Sequence, residues 1–257
     1  MPEHSSLLTF VLSRFRGNLE HNLHLIGDSV IGNEAPEWTS FEPIAAAILV
    51  ALLVIVMALM VRARLKDPES SVVPDEKLTL RTFFEVFLGY FYDLAKAVMD
   101  EERAKKYFAI IGTSALFVFL SNVMAMLPIL PVATSSLNIT LGCALVVFVL
   151  FNVYGIQANG WGYFKHLAGP SPYLAPLIFP IEVVSLCVRP VTLSVRLMLN
   201  MSVDHLILLI FMSLVPVLIP IPVQFLGVII VVVQTLVFTM LTTIYIALAT
   251  EHEAEGH

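Results

Sequence analysis

Charge is scarce in this sequence. Asp, Glu, Lys and Arg make up 13% of its 257 residues and hydrophobic residues 58%, whereas an ordinary soluble domain is about 25% charged. With a mean hydropathy of +0.88, the chain could not cover its own surface in water, so it is an integral membrane protein. Short alternating segments of the kind that build a membrane barrel are also missing. Several apolar runs instead reach the roughly 20 residues that cross about 30 Å of hydrocarbon, and they predict an all-α protein. Cysteine is limited to Cys143 and Cys187. Both lie inside apolar runs, which excludes a disulfide framework, and no metal-ligand spacing is present. No cofactor and no nucleic-acid partner is expected. The first fifteen residues, MPEHSSLLTFVLSRF, place an acid ahead of the basic residues and offer no small-residue cleavage site, so no signal peptide is expected.

What is present sorts into about five membrane-crossing helices and one amphipathic helix. Residues 1–40 are polar, end near Trp38, and read as an arm outside the membrane. The membrane domain covers residues 41–250, with spans predicted at about 41–61, 107–130, 135–157, 177–215 and 223–250. Residues 251–257 form an acidic tail. Between about 77 and 102, Lys77, Arg81, Glu85, Asp93, Lys96 and Asp100 fall near one line at helical spacing. Leu80, Phe84, Phe87, Phe91, Leu94 and Val98 take the other side. This pattern predicts a helix lying in the interface. The sequons at Asn138 and Asn200 lie in or beside apolar spans and are discounted.

The fourth apolar region, 177–215, holds no glycine, and from Val191 to Val215 there is no proline either. A continuous helix of that length is roughly 55 Å long, so a steeply tilted helix is expected rather than two short spans. Pro190 can kink such a helix without breaking it. The segment from Pro216 to Pro222 is expected to turn the chain back into a last span that is also too long to stand upright. The two make a hairpin.

Orientation follows from the basic residues. Nine of the fourteen lie between Arg62 and Lys106, one is Lys165, two are in the N-terminal arm, and the loops near 131 and 219 have none. The positive-inside bias places the 62–106 region in the cytoplasm, the N-terminus outside and the C-terminus inside.

The remaining two basic residues are Arg189 and Arg196, inside the fourth region. A charge at mid-membrane costs about 2.5 to 3.5 kcal/mol on insertion scales, so something must neutralise or use them. Glu182, Arg189 and Arg196 are spaced by seven, and Arg196, Asn200 and Asp204 by four. Together with Ser185, Thr192 and His205 they form one polar stripe. An acid near each end with a guanidinium between reads as a proton path with a barrier, because arginine cannot pass a proton on.

The run RPVTLSVRLMLNM, Glu182 fourteen residues before Arg196, and QTLVFTMLTTIYIALA with Gln234 resemble the a subunit of the rotary F-type ATP synthase. LSNVMAMLPILP, with Asn122 and Pro128, and TSSLNITLGCAL are similar to that family's middle spans. The likeness covers about residues 40–250. It implies a non-catalytic, proton-translocating stator subunit of a bacterial inner-membrane F1Fo complex, rather than an organellar one, partnered by the c-subunit ring and the b subunits. In the family, the arginine matching Arg196 faces a ring carboxylate and separates two offset half-channels. The resemblance and the orientation assign Asn200, Asp204, His205 and Gln234 to the outside half-channel, and Glu182 and Ser185 to the cytoplasmic one. Arg189 and Asn122 are left open between structural and transport roles.

The chain departs from the family pattern at several positions. Leu199 stands where many relatives have Gly, His205 where bacterial relatives commonly have an acid, and Gly227 where they have a histidine. No acid occurs near Ala125. Asp204 is the local acid that could compensate. Two other classes compete: a stand-alone transporter, disfavoured because no internal repeat is found, and a membrane scaffold, which leaves the stripe unexplained.

Overall fold

The long apolar runs fold as uninterrupted helices in the computed structural model, which describes residues 13–14, 42–64, 79–126, 134, 136–160, 175–214 and 220–250. Six helices follow in order: α1 (Glu42–Arg64), α2 (Leu80–Val98), α3 (Glu101–Ala125), α4 (Leu137–Asn159), α5 (Ala175–Leu214) and α6 (Pro220–Thr250). No strand occurs among the described residues. Five of the helices, all but α2, are long and apolar enough to cross a membrane. The expected arm at 1–40, apart from residues 13–14, and the acidic tail at 251–257 lie outside the described residues.

α5 runs for 40 residues and carries Pro180 and Pro190 inside it, so the region is one helix and not two. A straight helix of that length extends about 60 Å and fits a hydrocarbon layer of about 30 Å only by leaning. α6, at 31 residues, is also longer than an upright span needs.

Two boundaries differ from expectation. The amphipathic helix ends at Val98, and the segment expected to be its last turn opens α3 at Glu101. Asp100 is extended and takes the N-cap position, and Glu101 and Glu102 occupy the first turn, where acids complement the helix dipole. The hydrophilic run Glu101–Lys106 hid this start from an apolar count that begins at Tyr107. Similarly, α6 starts at Pro220, so residues 220–222 belong to its first turn, a position that tolerates proline because its N–H is not needed there. The rest of the expected turn, 216–219, lies outside the described residues.

α2 and α3 pack antiparallel. Tyr92 meets Phe108 with ring centroids 5.1 Å apart, Phe87 meets Phe119 at 5.0 Å and Phe83 meets Phe119 at 6.0 Å. The two helices therefore share one inclination over about three turns. On α2, Phe84, Phe91 and Ala95 are buried, and Glu85, Asp93 and Lys96 are exposed, as the amphipathic pattern requires. Arg81 breaks that pattern. It is buried on the packing face, where its Nε donates to Glu85 Oε1 at 2.7 Å, and pairing with a carboxylate one turn along lets the guanidinium lie there. Leu80 is exposed instead.

The core lies where α6 packs against α3, α4 and α5, and includes Ile111, Val118, Val147, Phe151, Leu193, Leu197, Phe238 and Ile246. Thr235, Thr239, Thr242, Thr243 and Thr250 are buried on α6, and each hydroxyl donates to the carbonyl one turn back at 2.7 to 2.9 Å. These side chains satisfy themselves within their own helix. Being small, they let neighbouring helices approach α6 closely.

Candidate functional site

The polar stripe of α5 runs along its seam with α6. The core-facing side of α5 carries Leu186, Leu193, Ser194, Leu197, Met201 and Leu208, all buried. The stripe borders that face, because its steps of seven and four residues drift only slowly around a helix of 3.6 residues per turn. On its other flank Val188, Val191, Leu199 and Val203 are about half exposed.

Contacts across the seam fix an antiparallel register. Arg189 faces Tyr245, Asn200 faces Gln234 and Asp204 faces Gly227. Asn200 Nδ2 donates to Gln234 Oε1 at 2.7 Å. Gln234 is buried while Asn200 is exposed, so the pair carries polarity from the seam into the bundle. Tyr245 and Gly227 were not singled out as seam partners from the sequence. The signal was available: they lie eleven residues after and seven before Gln234, whole turns of the helix.

The two arginines have different surroundings. Arg189 lies 3.6 Å from Glu182 Oε1, and its guanidinium sits 5.2 Å from the centre of the Tyr245 ring. Arg196, two turns further, is exposed and has no hydrogen-bond or ion-pair partner among the described residues. Glu182 is half-buried and Ser185 exposed. Nothing is described of the His205 side chain.

At the other end of the seam, Asp204 leans towards α6. A Cβ on Gly227 would stand 2.9 Å from Asp204 Oδ2 and 3.5 Å from Met126 Cε. Gln224 Nε2 donates to Met126 O at 2.6 Å, tying α6 to the end of α3. Ala125, Met126, Asp204, Gln224 and Gly227 line a cavity of about 10 Å³ there, room for about one water. Asn122 is not part of this group. It is buried on α3 and its Oδ1 accepts from Thr134 Oγ1 at 3.4 Å, while its Nδ2 has no partner among the described residues. No cluster of three metal-binding side chains occurs among the described residues.

The structure thus brings Glu182 to Arg189, Asn200 to Gln234, and Asp204 to α6, and it leaves Arg196 facing outward. A family profile described as ATP synthase A chain matches residues 44–247. The chain belongs to the ATP synthase A chain family. It is 54% identical to ATP synthase subunit a of Sorangium cellulosum (strain So ce56), over the full length of both chains. It is 36% identical to ATP synthase subunit a of Aliarcobacter butzleri (strain RM4018), across 88% of this chain and 95% of the relative. The subunit of Sulfurihydrogenibium sp. (strain YO3AOP1) is 44% identical across 67% of this chain and 83% of its own length. Membership in the A chain family and five spanning-length apolar helices make this a multi-pass membrane protein of the F-type ATP synthase membrane sector.

Proposed function

We propose that the chain is the proton-translocating stator subunit of an F1Fo complex, in which Arg196 faces the carboxylates of a c-subunit ring and keeps two offset half-channels apart. The observation that carries this reading is the exposed Arg196 guanidinium, unpaired among the described residues, at the border of an apolar face. A bare guanidinium in hydrocarbon is costly, so the face needs a counter-charge from another chain, and a ring carboxylate supplies it. When ionised, that carboxylate is confined near Arg196 by attraction and by the cost of burial. Once protonated it can face lipid and move on.

Glu182 and Ser185, on the α5 stretch before Arg196, line the cytoplasmic half-channel. Asn200, Asp204, His205 and Gln234 belong to the outside one. Along α5, Glu182 and Ser185 precede Arg196 while Asn200, Asp204 and His205 follow it, with Gln234 opposite Asn200 on α6, so a proton passes between the two sets only on the ring. The membrane potential, worth about 2.3 kcal/mol per charge per 100 mV, falls across the dry gap between them. Arg189 holds Glu182 and the Tyr245 ring and has a structural role. The distribution of basic residues keeps the N-terminus outside and the C-terminus in the cytoplasm, with the b subunits as further partners in a bacterial inner membrane.

The test is ATP-driven acidification of inverted membrane vesicles carrying the whole complex. Arg196→Ala is expected to abolish acidification while the complex still assembles with the ring and the b subunits. Normal pumping by the assembled variant, or an active chain that purifies alone, overturns the reading.

A further inference from the structure

Where α3 begins and α4 and α6 end, the three helices leave a cavity of about 530 Å³, within the range of about 300 to 1,000 Å³ that holds small ligands. Its wall is charged with both signs: Asp100, Glu102, Arg103 and Lys106 come from the start of α3, and Gln157 and Thr250 from the ends of α4 and α6. Beside it Asn159 Nδ2 donates to Ala249 O at 3.2 Å and ties α4 to α6. Arg103 is held by Asp100, whose Oδ2 accepts from Nη2 at 2.8 Å and from Nε at 3.2 Å. Glu102 and Lys106 are not held in this way. They stand one turn apart in the order that ordinarily favours an ion pair on a helix, yet neither has an ion-pair partner among the described residues. Lys106 Nζ lies instead 5.3 Å from the centre of the Tyr107 ring. The cavity therefore offers one open carboxylate and one open ammonium, about 6 Å apart along the helix.

Two apolar stripes lead away from it. On α3 the exposed residues after Lys106 are Ala109 and Thr113, at steps of three and four that stay on one face. The Thr113 hydroxyl donates to Ala109 O at 2.6 Å, so it adds no open polar group. On α4, Val153 and Val146 are exposed on the side of Gln157, at steps of four and seven. Both helices have the length and composition of membrane spans, and the cavity sits at the polar end of each, the level at which a bilayer carries its headgroups. We propose that this cavity binds the headgroup of a phospholipid that carries both a phosphate and a primary ammonium. The phosphate lies on Lys106 and the remaining N–H groups of Arg103, the ammonium lies on Glu102, and the acyl chains run along Ala109 and Val153. A free phosphate would use only the cations, and an anionic lipid would set its charge against Glu102. A zwitterionic lipid matches both signs and covers the apolar stripes as well. The site involves no residue of the α5 stripe, so it holds or fails apart from the half-channel reading.

The test uses the whole complex in detergent micelles doped with phosphatidylethanolamine that carries a photoactivatable diazirine on one acyl chain, and it locates the adducts by peptide mass spectrometry. Adducts are expected on α3 and α4 around Ala109 and Val153. Excess unlabelled phosphatidylethanolamine is expected to suppress them about ten-fold, while phosphatidylglycerol, glycerophosphoethanolamine and inorganic phosphate at the same concentration leave them within about two-fold. Lys106→Gln is expected to lower the labelling about ten-fold, and Glu102→Gln to remove the discrimination between phosphatidylethanolamine and phosphatidylglycerol. Membrane-bound ATPase activity reports assembly of each variant. The proposal is overturned if no adduct forms at this site, as when a neighbouring chain fills the cavity in the complex. Suppression of wild-type labelling by phosphatidylglycerol as strong as that by phosphatidylethanolamine overturns the ammonium contact, and suppression by inorganic phosphate overturns the lipid as the occupant. Unchanged labelling in an assembled Lys106→Gln complex overturns the phosphate contact. If neither variant assembles, the wild-type adducts and their competition decide the matter.

Discussion

Arg189 and Arg196 lie two turns apart on the same helix and in the same stripe, yet their surroundings are opposite. Around Arg189 the chain provides its own compensation: Glu182 Oε1 at 3.6 Å and the face of Tyr245 at 5.2 Å, with a side chain only 22% exposed. Around Arg196 it provides none among the described residues, and the flanking face is apolar. A cation satisfied within its own subunit contributes to packing. One left without a partner in its own subunit is stable in an apolar setting only when another chain brings an anion.

The contrast can be broken in several ways. The largest effect belongs to Arg196→Ala, with complete loss of pumping and intact assembly; comparable loss of assembled complex on a membrane immunoblot would instead make its role structural. Next comes Glu182→Gln, expected to slow ATP-driven acidification several-fold without abolishing it, and an unchanged rate removes this carboxylate from the path. Arg189→Ala should do the reverse of Arg196→Ala, lowering the thermal stability of the detergent-solubilised complex by about 1 to 2 kcal/mol while pumping per assembled complex stays within about two-fold. The smallest effect is expected for Tyr245. Replacement by Leu should cost about 1 kcal/mol of stability by removing the aromatic face beneath Arg189, and Tyr245→Phe should restore most of it, which a lost hydroxyl contact would not allow.

Much of the architecture was legible because hydrocarbon imposes simple rules. Backbone groups must be satisfied within a segment, so apolar length alone predicts the spanning helices, and the missing glycine and proline after Val191 predict that α5 is continuous. The start of α3 at Glu101 was hidden for the same reason. Its first turn is hydrophilic, and capping there is governed by Asp100 and the helix dipole, which hydropathy does not register. Arg81 was placed on the polar side because periodicity sorts residues by type, whereas its burial depends on Glu85 being one turn away to pair with it.

The sequence by itself determined which residues are charged, how they are spaced along α5 and that they share a stripe, because helical periodicity depends only on order along the chain. Which of them are satisfied was decided only when α6 came alongside in one particular register. That packing sets Tyr245 beneath Arg189, Gln234 against Asn200 and a side-chain-free position against Asp204. It leaves Arg196 turned away from all of them. Pairing depends on distances between segments far apart in sequence, and helix packing alone sets those distances.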